Sequence, residues 1–142
     1  MISTKSGVLG FIMIVIVAMS ALGCASSDTT KAMGPNDMPA VAGKWVGNIT
    51  TPGGTTTPGT LDISPSGDYV VQAGGFGATG KAQIKDGDIV FTPNYSSGGT
   101  GVGMSRRSSS ASVSQRPDGS LVMTGFGHSD AGPFNFMATK QK

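Results

Sequence analysis

Three short stretches constrain the fold of this chain more than any other feature: "SPSGDYVV" (64–71), "IKDGDIVF" (84–91) and "QRPDGSLVM" (115–123). Each places Ser-Gly or Asp-Gly between two β-like runs, and these residues accept the positive φ that hairpin turns demand. In each, the turn is followed by one polar residue and then three apolar or β-branched ones. Their spacings, about 20 and about 32 residues, are uneven, so they describe a recurring hairpin and not a solenoid repeat. Three consecutive antiparallel hairpins follow.

The runs between these turns give about eight strands, over 43–50, 59–64, 68–73, 79–85, 88–93, 104–115, 120–126 and 133–140. Period-two alternation selects an inward face: Trp45, Ile49, Leu61, Ile63, Tyr69, Val71, Ala82, Ile84, Ile89, Phe91, Ala111, Val113, Leu121, Met123, Phe134 and Phe136. Lys44, Asp62, Lys81, Gln83, Lys85 and Ser110, Ser112 and Ser114 fall on the other face. One wet and one apolar face per strand predicts an all-β domain, a small antiparallel up-and-down barrel. The other connections, "TPGGTTTPG", "GGFGA", "NYSSGGTGVG" and "GFGHSDAG", read as longer glycine-rich loops. In a meander they gather at one end, so the expected shape is a cup, closed by short turns and ringed at its mouth by mobile loops.

Composition supports this class. Charged residues make up 13% of the 142, there are 23 Gly, and the eight acidic residues are all Asp. Removing the leader with its Lys5 leaves nine basic residues against these eight, a balance that predicts no steering towards nucleic acid. The single cysteine, Cys24, leaves no intramolecular disulfide, so strand packing must supply the core.

The leader "MISTKSG" followed by "VLGFIMIVIVAMSALG" has a positive start, a short apolar run and small residues at its end, the plan of a secretory signal. As a helix, Val8 to Leu22 would span about 22 Å, short of the roughly 30 Å hydrocarbon core that a transmembrane anchor, the other reading, must cross. "ALGC" (21–24) resembles the lipobox of bacterial lipoproteins. That resemblance implies cleavage before Cys24, acylation of its thiol and new amino group and, with Ala25 following, a lipid-anchored protein of the outer membrane. The usual Leu three residues before the cysteine is replaced by Ala21. The expected organisation is a signal peptide over 1–23, a lipid anchor and flexible tether over 24–40, and a barrel domain over 41–142.

"GKW" (43–45), opening the first strand of such a barrel, resembles the Gly-x-Trp motif of lipocalins and related calycins, which implies that Trp45 packs across the closed end of the barrel. A core Trp at a strand start is the other reading. Gly75-x-Gly77-x-x-Gly80 matches a dinucleotide fingerprint only formally, since a strand and not a helix follows it. One histidine, His128, with no second His, Cys or Glu nearby cannot supply an ordinary transition-metal site. No cofactor or metal is expected. With no paired carboxylates and no cysteine nucleophile in the domain, the chain does not read as an enzyme.

Phe76, Tyr95, Phe126 and His128, in or beside the long loops, are the candidate ligand-binding residues at the mouth, with core capping as the other use of the aromatics. Two functions fit the sequence. One is an envelope-bound binding module for a small apolar ligand or an envelope protein. The other is a structural or interaction lipoprotein whose barrel is filled by its own bulky side chains and takes no small ligand.

Overall fold

The computed structural model describes residues 29–30, 32–74, 76–94, 108–129 and 132–142. Its strands are β1 (Thr29–Thr30), β2 (Gly43–Thr50), β3 (Thr56–Ile63), β4 (Asp68–Ala73), β5 (Phe76–Lys85), β6 (Asp88–Pro93), β7 (Ser109–Gln115), β8 (Leu121–Ser129) and β9 (Gly132–Lys140). A 3₁₀ turn (Pro35–Asp37) and one short helix, α1 (Met38–Val41), precede β2. From β2 to β9 each strand pairs antiparallel with the next, and β9 returns to β2 through Ile49↔Phe136 and Trp45↔Lys140. Eight strands thus close an up-and-down barrel, and β1 adds a ninth to the sheet. The fold class is the one the alternation predicts.

Turn chemistry sets the register. Asp86 and Gly87 both have positive φ, 53° and 89°, and join β5 to β6 as a two-residue hairpin. At 64–68 the Gly67 amide donates to the Ser64 carbonyl at 2.9 Å and the Ser64 amide to the Asp68 carbonyl at 2.8 Å. Residues 116–120 repeat this arrangement, with Gly119 donating to Arg116 and Arg116 to Ser120, both at 2.9 Å. The Asp118 carboxylate also accepts the Ser120 hydroxyl at 2.6 Å and its amide at 2.9 Å, and these bonds hold its pKa below the ordinary value. Asp68 is likewise lowered, chiefly by its hydrogen-bonded ion pair with Lys81 at 2.7 Å.

The opposite end differs from the expected ring of loops. "TPGGT" (51–55) makes the same turn as the other two X-Pro-x-Gly segments: Gly54 donates to Thr51 at 2.9 Å and Thr51 to Thr55 at 3.0 Å. β3 therefore starts at Thr56 instead of 59. β4 and β5 are separated by residues 74–75, and β8 and β9 by 130–131: "GGFGA" contributes residues 76–78 to β5, and "GFGHSDAG" contributes strand on both sides of its reversal. Between β6 and β7, the expected loop beyond Asn94 and the expected strand residues 104–107 lie outside the described residues. Glycine lowers strand propensity, but tertiary pairing overrides that preference.

The half of the expected tether nearest the barrel also folds. Met33 and Val41 are buried in the core and Met38 packs against it. The Trp45 indole N–H donates to the Val41 carbonyl at 2.9 Å, and Lys140 Nζ donates to the Ala40 carbonyl at 2.7 Å. This segment plugs the end of the barrel where the 64–68, 86–87 and 116–120 turns lie. Trp45, 0% exposed, is the largest fully buried side chain. Trp45→Ala removes both its packing and the hydrogen bond that holds α1, and should lower unfolding free energy by about 3–5 kcal/mol. Urea denaturation followed by far-ultraviolet circular dichroism checks this.

Candidate functional site

The inward face of the barrel alternates very large and very small residues. Gly47 on β2 lies between Gly59 on β3 and Ala138 on β9 in register, one step along the inward face from Trp45. A Cβ at Gly47 would strike the Met137 carbonyl oxygen and sit 2.5 Å from Ala138 Cα; at Gly59 it would fall 2.8 Å from Ala73 Cβ. These strands approach closely only because the side chains are missing. On β8, Gly125 and Gly127 face Phe136 and Phe134 of β9, whose rings occupy the space a Cβ would take.

Above Trp45 this row of small residues leaves a cavity of about 70 Å³. Trp45 and Leu61 line its deep side, and Ile49, Ser109 and Phe134 reach towards the end of the barrel opposite the plug. Its wall is aromatic. Tyr69 and Phe91 meet edge to face with centroids 5.2 Å apart, Phe91 and Phe136 do so at 6.3 Å, and Phe134 and Phe136 are tilted at 6.3 Å. Such edge-to-face pairs contribute about 0.5–1.5 kcal/mol each beyond area burial. Among the described residues no Asp, Lys, Arg, His or Cys lines the cavity, so these walls supply neither a charge nor a strong general base. What it can do is exclude water from an apolar group.

Of the candidate residues at the mouth, Phe126 and His128 do not line this space. Phe126 and His128 lie in β8, not in a loop, and point outward because Gly125 and Gly127 take the inward parity. Phe126 is 45% exposed, and its ring meets the His128 imidazole edge to face at 4.7 Å. Phe76 opens β5 opposite Ala73. Its side chain, Tyr95 and Cys24 lie outside the described residues. The residues that do form the walls, Trp45, Tyr69, Phe91, Phe134 and Phe136, belong to the inward face the alternation selects. Gly47, Gly59 and Ala138 were missed as site residues, although glycine at an inward parity position, between Trp45 and Ile49, is itself a signal of missing volume.

Among the described residues no group of three or more His, Cys, Asp or Glu is placed to hold a metal, and no helix is long and apolar enough to cross a membrane. Comparison of the chain with known protein families, curated proteins and solved structures finds no match.

Gly47→Val should destabilise the barrel by at least about 1–3 kcal/mol, because the added carbons meet backbone and not a movable side chain. Gly53→Ala, at a turn where a Cβ meets nothing within 4 Å, should stay within about 0.5 kcal/mol of the wild type. Paired urea titrations measure both.

Proposed function

We propose that this chain is a lipid-anchored bacterial envelope protein whose barrel shelters the apolar end of a small ligand. The observation that carries the binding half is the cavity above Trp45, walled by aromatic and aliphatic side chains with no charged group among its described lining residues. Small-molecule sites are concave and mostly apolar, with few polar groups. Ser109, on the side of the cavity away from the plug, has a hydroxyl there. The volume limits the occupant. An apolar cavity of roughly 150 Å³ accommodates benzene, so one of about 70 Å³ takes a chain end or part of a ring unless its walls move. The leader carries the anchoring half: "ALGC" supports acylation at Cys24, and several acyl chains at about 0.8 kcal/mol per buried methylene give stable attachment where one does not.

A second reading rests on the same interior. Trp45, Tyr69 and Phe91 are fully or almost fully buried, and a small barrel filled this way can serve as a rigid body that interacts through its surface.

Two experiments decide. Cys24→Ser should abolish incorporation of a labelled fatty acid; undiminished labelling refutes anchoring at that residue. For the cavity, xenon, a smaller apolar probe than benzene, dissolved in the protein solution should shift the methyl resonances of Leu61, Val71 and Ala138 in two-dimensional NMR. Phe136→Ala should enlarge the response and Ala138→Leu suppress it. Unmoved methyl resonances in both the wild type and Phe136→Ala, together with an empty protein in native mass spectrometry, favour the filled barrel.

A further inference from the structure

We propose that the plugged end of the barrel faces the bilayer that holds the anchor, and that the cavity is loaded from the aqueous side. This rests on the lipid-anchor reading. The geometry comes from β1. Thr29 pairs with Gln115 and Thr30 with Ser114, on the edge of β7 that does not face β8. β7 runs towards the plugged end, ending at Gln115 just before the 116–120 turn. β1 is antiparallel to it, so its first residue, Thr29, lies at the plugged end.

Distances then decide the orientation. A wholly flexible stretch from Cys24 to Val41 could extend about 60 Å and would leave the barrel free to tumble. Pairing at Thr29 shortens the free spacer to the steps from 24 to 29, at most about 17 Å. Returning along β7 to the far end takes about 20 Å for Gln115 back to Ser109. The far end, towards which the cavity reaches, therefore does not reach the membrane surface while β1 is paired.

Charge follows the same axis. Among the described strands, every charged residue lies in the half of its strand nearest the plug, Lys44, Asp62, Asp68, Lys85, Asp88 and Lys140 among them. The 86–87 and 116–120 turns add Asp86, Arg116 and Asp118 there. A collar of mixed sign suits a hydrated headgroup layer and has no large net attraction of its own for anionic lipid. Affinity is left to the anchor, and orientation to the short spacer.

The test uses the full lipidated protein in phosphatidylcholine vesicles containing a minor fraction of a headgroup-nitroxide lipid. With Cys24 acylated, a thiol introduced by Lys85→Cys reports on the plugged end, and one introduced by Gly53→Cys on the far end. Each carries a fluorophore. Quenching should be several-fold stronger at 85 than at 53. Replacing Thr29 and Thr30 by Pro removes both β1 amide donors and should narrow that difference. Equal quenching at the two sites, or stronger quenching at 53, overturns the orientation while leaving the anchor standing. Failure of the wild-type protein to float with vesicles, or a Cys24→Ser chain that floats as well as wild type, overturns the anchor reading and the orientation with it.

Discussion

Closure of β9 onto β2 is the constraint on which the rest of this structure depends. An open sheet of eight short strands would expose two edges whose amides and carbonyls invite foreign pairing. Closure removes the edges but fixes the interior, and eight strands enclose only enough room for side chains. Trp45, Tyr69, Phe91, Phe134 and Phe136 cannot all share that room with large neighbours. Gly47 permits the close β2–β9 approach, while Gly125 and Gly127 give the β9 rings somewhere to lie. The glycines are therefore the complement of the rings, and the cavity is the place where that complement is not fully occupied.

The seam between β6 and β7 shows the cost of meeting this constraint with strands of unequal length. Among the described residues these strands pair only at Ile89, Val90 and Phe91, and the lower part of β7 would otherwise present a free edge. β1 covers part of it at Ser114 and Gln115. Met33, Val41 and Met38 then fill the barrel end beside it. The described residues that precede β2 are thus a structural part of the domain, completing both the sheet and the core.

How much of this can be read from sequence depends on whether the signal is local. The hairpins at 64–67, 86–87 and 116–120 are legible because each turn depends on a glycine beside it. The aromatic walls are legible because parity survives along the strands that carry them. "TPGGT" carries the same Pro and Gly spacing as "SPSGD" and "RPDGS", yet its run of small polar residues conceals it. Phe126 and His128 mislead for a related reason: "GFGHSDAG" resembles a loop in composition, and only the rings of Phe134 and Phe136 across the ladder explain why its glycines belong in a strand. Met33 and Val41 lie in a stretch too short for periodicity to reveal. The cavity has no residue of its own, and emerges only when Gly47, Gly59 and Ala138 are placed side by side.

The two ends of the barrel therefore differ in chemistry. At the plugged end, Trp45 is tied to Val41, Lys140 to Ala40 and Gln141 to Lys44, so the first and last segments of the domain hold one another. At the far end no charged side chain appears on the described strands, and the small inward residues leave the interior less completely filled. A side chain added at Gly47 meets backbone, so the space beside it can change only if β2 and β9 part. Rings such as Phe136 can turn without breaking a ladder. Any adjustment to an occupant therefore falls on the aromatic wall and not on the closure that defines the barrel.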